Sequence, residues 1–307
     1  MKLTLFTFLL LSAICFVSCR KSGSEPDIKQ YDQQQIESYI AQNGITGMKR
    51  DLTNGDTTGI YYQIINPGDP TKPVDYPDTV SYVYSFRTFD GKYSVIDTVL
   101  NHYNGFLGHV VPNGLQLSIR YLLKYKGGKI RVLVPSHLAY GRNGAGSGSS
   151  SVANSKISGN ECLDYTINLI SDQIKYDDLV INNYIKANGL SGYTKTADGL
   201  YYKITKQGTG ASIDDNSNVN LNYRLQLMNN TFADTTSQTT TATFTDLNLL
   251  TSGAHEGLKL VTGGGGISLL VPSRLGYGTS GSSGVTNSIP ANACLRFEFY
   301  NITVTNY

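Results

Sequence analysis

The 307-residue sequence predicts an α+β fold with two tandem domains, each an antiparallel β-sheet wrapped around one short α-helix. Three observations carry this prediction. The chain is longer than one average domain, its segments recur in the same order in two halves, and each half has several alternating strands but one good internal helix. A strand with a single apolar face must bury that face, so one sheet curling over one helix is the economical packing.

An internal repeat organises the chain. "IESYIAQNG" at Ile36–Gly44 returns as "INNYIKANG" at Ile181–Gly189, and "LVPSHLAYG" from Leu133 returns near Leu270 as "LVPSRLGYG". Three further segments recur in the same order: "GIYYQI" as "GLYYKI", "GLQL" as "GLKL", and "ECLDYTINLI" as "ACLRFEFYNI". Five ordered matches with slowly drifting spacing indicate a duplication with changes in loop length.

Alternation along the chain predicts the strands. Apolar residues that alternate with polar ones are typical of a half-buried strand, because successive side chains point to opposite faces. The predicted inward sets are Val80, Tyr82, Tyr84 and Phe86; Ile130, Val132 and Val134; Leu163, Tyr165, Ile167 and Leu169; Val219, Leu221, Tyr223, Leu225 and Leu227; Ile267, Leu269 and Val271; and Leu295, Phe297 and Phe299.

Four segments are predicted to be helical. Gly114–Tyr125 and His255–Val261 are the internal helices, and each is followed by a run of glycines that closes it. Tyr31–Asn43 and Asp177–Asn188 are predicted to be helices that precede each copy.

The first residues have the pattern of an export signal. An apolar or small run from Leu3 to Val17 is too short for a comfortable membrane span and suits a signal peptide. Cys19 follows a small residue at the end of that run, which resembles a bacterial lipobox, although Phe16 stands where leucine is usual. We therefore expect lipidation at Cys19 and a lipid-anchored protein of the cell envelope, with an ordinary cleaved signal as the alternative.

The predicted division is 1–18 lipoprotein signal peptide, 19–47 tether and helix, 48–172 first domain, 173–190 linker helix and 191–307 second domain.

Composition excludes several classes of function. With 25 Lys and Arg against 23 Asp and Glu, the chain lacks the clustered positive charge that nucleic-acid binding needs. The four histidines and four cysteines show no metal-ligand spacing, and solvated histidines are expected. Each predicted domain has one cysteine, Cys162 or Cys294, so a disulfide between them is left open. The "GGGG" run at 263–266 lacks the Gly-Lys-Ser/Thr of a phosphate loop. No metal or cofactor is predicted.

Several motifs, taken as an ordered set, resemble one family. They are "VYSFRTFDGK" at Val83–Lys92, "GGKIRVLVPSHLAYGRNGAG" at Gly127–Gly146, the second "LVPSRLGYG", and "IPANACLRFEF" at Ile289–Phe299. Each copy resembles an FKBP-type peptidyl-prolyl cis–trans isomerase domain, and the pair resembles the lipoprotein members found in Gram-negative bacteria of the Bacteroidetes kind. The resemblance spans about residues 59–170 and 199–302, and the implied fold is a pair of tandem FKBP-like domains.

The resemblance implies a function for the tyrosine that precedes glycine in both copies. In that family this tyrosine stands at the rim of an apolar pocket and hydrogen-bonds a bound peptide carbonyl, which corresponds to Tyr140 and Tyr277; a tyrosine that only covers a sheet end is the alternative. The implied activity is isomerisation of the X-Pro bond, whose barrier is about 18–20 kcal/mol. A dry aromatic pocket that favours the twisted amide needs no cofactor for this reaction.

The resemblance also implies the site residues, position by position. The implied catalytic residues are Tyr223, Asp234, Tyr277 and Phe297. The implied substrate-binding residues are Phe232, Phe244, Leu249, Leu250 and Ile289 in the second copy, and Tyr84, Ile96, Asp97, Phe106, Val110, Val111, Tyr140, Ile157 and Tyr165 in the first. Asp97 and Asp234 could equally be ordinary turn carboxylates.

The chain departs from the family pattern in ways that leave two functions open. Members of the family commonly have a tryptophan at the base of the pocket, but this chain has no tryptophan. Ala254 falls near the position of that residue in the second copy. The first copy has "ISGN" at 157–160 instead of Ile-Pro-x-Asn. We therefore predict an isomerase that acts on proline-containing segments of exported proteins, mainly through the second domain, with a catalytically weak peptide-binding or chaperone lipoprotein as the alternative. The sequence leaves the oligomeric state and the client proteins open.

Overall fold

The computed structural model describes residues 27–53, 55–147, 154–237, 239–283 and 286–306. The predicted signal peptide, Cys19 and the start of the tether lie outside the described residues, as does most of the Gly146–Ser151 loop. None of the helices in the described part of the chain is long and apolar enough to cross a membrane.

Each half of the chain forms a seven-stranded antiparallel sheet with the same connectivity. The first sheet has the order β1-β2-β6-β7-β3-β4, with β5 beside β3, and the second has the order β11-β10-β14-β13-β9-β8, with β12 beside β10. The predicted α+β fold with two antiparallel sheets is therefore confirmed. The first-sheet strands are β1 Lys49–Arg50, β2 Tyr61–Asn66, β3 Thr79–Thr88, β4 Ser94–Val95, β5 His102–Phe106, β6 Lys129–Val134 and β7 Leu163–Ile170. The second-sheet strands are β8 Thr194–Lys195, β9 Tyr201–Lys206, β10 Ser217–Leu227, β11 Phe232–Thr235, β12 Ala242–Phe244, β13 Gly266–Val271 and β14 Leu295–Asn306.

The helices lie close to the predicted positions, with shifted ends. They are α1 Ile28–Gln42, α2 Asn113–Leu117, α3 Gln173–Ala187 and α4 Ser252–Leu258. A wider π-type segment, Ser118–Leu123, continues α2. This segment ends at Lys124, which has a positive φ of 70°, so the chain turns before the glycines that were predicted to close it.

Each sheet curls around its internal helix and buries one face against it. In the first domain Leu115, Ile119 and Leu123 pack with the inward residues of β6 and β7. In the second domain Ala254 and Leu258 of α4 pack on β13 and β14. Glycine permits the close approach of α4, because a Cβ at position 257 would lie 2.3 Å from the Leu269 side chain.

The helices α1 and α3 cover part of the opposite face of each sheet. Ile36 of α1 packs with Leu133 and Cys162, and Ile181 of α3 packs with Leu270 and Cys294. Both isoleucines are fully buried, and each such burial contributes about 1.5–3 kcal/mol. The two cysteines are free thiols under different helices.

Candidate active site

The turn after β13 positions the predicted rim tyrosine of the second domain. Pro272 ends the strand because it has no N–H for the ladder, and a 3-10 turn follows at Ser273–Leu275. Tyr277 is half-buried and packs against the second core. Gly278 has a φ of 57°, a left-handed conformation that glycine adopts without strain, and it turns the chain away directly after the tyrosine.

Tyr223 and Asp234 form a polar pair beside Tyr277. The Tyr223 hydroxyl on β10 donates to Oδ2 of Asp234 on β11 at 2.6 Å. Burial and this carboxylate raise the pKa of Tyr223 well above its ordinary value, so its proton stays in the hydrogen bond. Burial and the charge of Asp234 raise the pKa of Tyr277 as well, so both hydroxyls are donors at neutral pH.

An aromatic floor lies under these groups. Phe297 and Phe299 on β14 are buried, and their rings are 5.5 Å apart with nearly parallel planes. The register pairs Phe297 with Leu225, and Phe299 with Tyr223, whose rings are 6.5 Å apart. Ala254 is buried in the same core, so the helix presents a methyl group to it.

The other residues predicted for the second site divide into packed and exposed ones. Ile289 is buried, and Phe244 and Leu250 are half-buried against the same core. Phe232 is 46% exposed and Leu249 is 83% exposed, so Leu250 is the member of the leucine pair that packs inward. Their roles in binding stay predictions.

In the first domain the equivalent tyrosine is already hydrogen-bonded within the fold. Tyr165 lies where the second domain has Phe297, and its buried hydroxyl bonds to Tyr140. Burial and the neighbouring Tyr140 raise the pKa of Tyr165 far above its ordinary value. The Tyr165 ring stacks on Phe86 with centroids 4.6 Å apart, and Tyr84 lies 6.4 Å away. The Tyr140 hydroxyl thus already has a partner within the first domain.

The other residues predicted for the first site divide into buried and exposed ones. Val110 and Ile157 are buried in the core, whereas Phe106 and Val111 are more than half exposed. Ile96 lines a polar concavity of about 240 Å³ with Arg87, Arg131 and Asp164, which lie on the outer face of the sheet. The Asp97 carboxylate accepts from Asn229 Nδ2 of the second domain at 2.6 Å, so it lies at the domain interface.

Three histidines differ from the solvated side chains expected from the sequence, and one of them is His255, whose Nε2 lies 2.6 Å from Asp215 and whose side chain is 22% exposed. His137 Nδ1 lies 2.7 Å from Asp32, and its side chain is 18% exposed. His102 is largely buried at the domain interface, and burial lowers its pKa. Asp32 is distant from His137 in sequence, so spacing alone gave no signal for that pair. Among the described residues no group of three or more His, Cys, Asp or Glu side chains could hold a metal ion.

The arrangement in the second domain can bind an extended segment without covalent chemistry. Tyr277 offers one hydroxyl donor beside the Tyr223–Asp234 pair, and the Phe299 ring lies 6.5 Å from Tyr223 and 5.5 Å from Phe297. Such a site can hold a peptide carbonyl and an apolar ring at once, since donors fix orientation while apolar walls exclude water.

Comparison with known proteins finds sequence similarity to one family of enzymes. Residues 210–300 match the sequence model of the FKBP-type peptidyl-prolyl cis–trans isomerases. The isomerase FkpA of Buchnera aphidicola from Acyrthosiphon pisum is 32% identical over 129 residues, 42% of this chain and 51% of that protein. FkpA of Aeromonas hydrophila is 36% identical over 117 residues, 38% of this chain and 42% of that protein. The crystal structure of FkpA from Escherichia coli aligns at 26% identity with a TM-score of 0.38, covering 44% of this chain and 63% of that one.

The chain spans about half the length of the curated relatives it matches. The family match lies in the domain that holds Tyr223, Asp234, Tyr277 and Phe297. This domain is thus similar in sequence to the FKBP-type peptidyl-prolyl cis–trans isomerases.

Proposed function

We propose that the chain is a peptidyl-prolyl cis–trans isomerase whose second domain carries the activity. The observation that carries the proposal is the group of Tyr223, Asp234 and Tyr277 above a phenylalanine floor, within the segment that matches the family. Proline-containing segments of exported proteins are the proposed substrates.

To catalyse this reaction, the site must lower the barrier to rotation about one amide bond. The twisted amide has lost its conjugation and is less polar than the planar one, so a dry aromatic floor favours it. The Tyr277 hydroxyl has no hydrogen bond among the described residues and can donate to a carbonyl of the bound segment. Tyr223 is held by Asp234, which fixes the opposite wall. Binding the twisted form more tightly than the planar form accelerates the exchange.

The contrast between the two domains supports activity in the second. Tyr140 is bonded to Tyr165, whereas the second domain has Phe297 at the equivalent place and leaves Tyr277 without that partner. A ligand of the first domain would have to displace an internal hydrogen bond. We propose that the first domain has a supporting role.

One observation favours an alternative, a binding or chaperone protein with weak catalysis. Ala254 is 1% exposed in the core at the place where the family commonly has tryptophan. A methyl group offers a bound prolyl ring less apolar contact surface than an indole ring does, so the site binds the twisted amide less tightly. Peptide binding without acceleration is the outcome that this alternative expects.

The proposed setting is the cell envelope, with the protein anchored through a lipid on Cys19. This proposal rests on the apolar run that precedes Cys19. Mass spectrometry of the membrane fraction tests it: a diacylglyceryl cysteine at position 19 is expected, and an unmodified chain cut elsewhere would contradict it.

The activity is tested by cis–trans exchange of a short proline peptide with the purified full chain. We expect acceleration, and a fall in kcat/KM of about ten-fold in Tyr277→Phe, because one hydrogen bond to the substrate is lost. Tyr140→Phe is the matched control in the first domain, where the same deletion should change kcat/KM by less than about two-fold. An equal fall in both variants would contradict the assignment to the second domain. No acceleration by the folded wild type would refute the isomerase.

A further inference from the structure

The first domain contacts the parts of the second domain that surround Tyr277. Asn292 lies in the turn before β14, and its Nδ2 donates to the Ser81 hydroxyl of β3 at 3.1 Å and to Asn104 Oδ1 of β5 at 3.4 Å. Asn229, in the turn before β11, donates to Asp97 at 2.6 Å. Val99 packs against the second core. The two domains thus share a specific interface.

Asn292 connects this interface to the turn after Tyr277. Its backbone N–H donates to the carbonyl of Gly278, the next residue after the tyrosine, at 2.8 Å. Its side chain is buried, and its φ of 56° is one that asparagine tolerates better than most residues. The same residue therefore holds the rim turn with its backbone and the first domain with its side chain.

A second connection runs from Ser81 to the turn before Tyr277. The Ser81 hydroxyl donates to Gln173 Oε1 at 3.2 Å, and Gln173 Nε2 donates to Asp177 Oδ1 at 2.8 Å. The other oxygen of Asp177 accepts from the backbone N–H and the hydroxyl of Ser273, at 2.8 and 2.7 Å. Ser273 begins the 3-10 turn that leads to Tyr277. Ser81 is thus bonded, in two directions, to the segments on both sides of the tyrosine.

The first domain shows that these connections are not required by the repeat itself. Asn160 has a φ of 57°, and its N–H donates to Gly141, directly after Tyr140, at 2.8 Å, yet its side chain is exposed. Asp32 holds Ser136 as Asp177 holds Ser273, but its second oxygen is taken by His137. The turn and the aspartate are common to both copies, whereas, among the described residues, the link to another domain is seen in the second copy alone.

We infer that the first domain is a positioning partner for the second site, and that Ser81 is the positioning residue that transmits its contact to the turn around Tyr277. The inference rests on the proposed function. A donor that must meet a developing transition state has to be held to within a fraction of an ångström. Fixing both ends of the Tyr277 turn against another domain reduces the conformations that the tyrosine samples.

The test compares two serines of the same strand in the full chain. Ser81 and Ser85 are both half-buried on the outward face of β3, but Ser85 lies away from the second domain. Ser81→Ala removes the hydroxyl that bonds to both Asn292 and Gln173, and Ser81→Thr keeps a hydroxyl at that position. Ser85→Ala is the matched control. Hydrogen exchange of the Ser273 and Asn292 amides and kcat/KM for a proline peptide are measured in each.

We expect Ser81→Ala to speed exchange at both amides and to lower kcat/KM about five-fold, the loss expected for hydrogen bonds of this kind. Ser85→Ala and Ser81→Thr should keep wild-type values. Asn292→Gly should speed exchange at Ser282 and Ile289 more than Asn160→Gly affects the equivalent first-domain turn, because glycine keeps the positive φ and removes only the side chain.

The outcomes separate this inference from the proposed function. Unchanged exchange in Ser81→Ala would overturn the inference even if the protein is an active isomerase. Faster amide exchange in Ser81→Ala together with wild-type kcat/KM would also overturn the inference, since catalysis would then not depend on how rigidly the Tyr277 turn is held. A wild type without isomerase activity would refute the proposed function but not the contact. In that case, faster exchange in Ser81→Ala with unchanged exchange in Ser85→Ala would still support the positioning contact.

Discussion

At the scale of single residues, the hydroxyl of Tyr165 is one difference between the two sites. Tyr165 and Phe297 are equivalent in the repeat, and both lie on the last strand of their sheet with a ring against the floor. The hydroxyl of Tyr165 bonds to Tyr140, and Phe297 has no group that could do this to Tyr277. The duplication kept the scaffold, and this difference decides whether the rim donor is free for a ligand.

We predict that Tyr165→Phe lowers the free energy of unfolding of the first domain by about 1 kcal/mol, because a buried hydroxyl with a hydrogen bond is lost. Urea unfolding of the full chain measures this. Tyr93→Phe is the matched control, since Tyr93 also stacks on Phe86 but its hydroxyl has no hydrogen bond among the described residues. An equal loss in both variants would show that the bond to Tyr140 contributes nothing.

At the scale of elements, a buried aspartate in each outer helix hydrogen-bonds the helix to its domain. Asp32 of α1 accepts from Ser136 and pairs with His137, and Asp177 of α3 accepts from Ser273 and Gln173. The physical settings differ. Burial tends to raise the pKa of Asp32, but the hydrogen bonds from His137 and Ser136 and the charge of His137 outweigh burial, so this pKa is lowered. At Asp177 burial is the larger effect, and it raises the pKa.

These opposite shifts predict opposite pH dependence for the two helices. The lowered pKa of Asp32 adds stability above about pH 3.8, which is lost as the pH falls through the folded-state pKa. The raised pKa of Asp177 adds stability below about pH 3.8, which is lost as the pH rises through its folded-state pKa. Unfolding midpoints in urea should therefore fall less steeply with acid in Asp32→Asn than in the wild type. In Asp177→Asn they should decline less as the pH rises. The same slope in all three proteins would contradict this.

At the scale of the whole molecule, the interface between domains contains a largely buried histidine. His102 of β5 lines a cavity of about 50 Å³ with Val99, Tyr176, Met228 and Asn292. Burial lowers its pKa, while backbone hydrogen bonds of Thr98 and Ala291 and the charge of Asp97 oppose that shift. Its Nδ1 is buried and has no hydrogen-bond partner in the described part of the chain, so the docked arrangement accommodates the neutral ring better than the charged one.

We predict that domain docking weakens as the pH falls below about 6.5, the ordinary pKa of histidine. A lowered pKa in the docked state means that the undocked state binds the proton more tightly, so docking is favoured above that pH and lost below it. Small-angle scattering should show a larger radius of gyration in acid. His102→Gln should remove the change, and His109→Gln, at an exposed position, should keep it. A pH-independent radius in the wild type would contradict the prediction.

Local patterns in the sequence were enough to predict the duplication, the alternating strands, the four helices and the tyrosine after a strand-ending proline. The predicted helix ends were shifted, since α4 begins at Ser252 and includes Gly253 and Gly257, which allow close packing on β13. Partners far apart in sequence meet through the tertiary fold. It brought Tyr165 to Tyr140, turned Asp97 toward Asn229, and joined Ser81 to Asn292. Such contacts depend on the register of strands and the docking of whole domains, which no local pattern of side chains encodes.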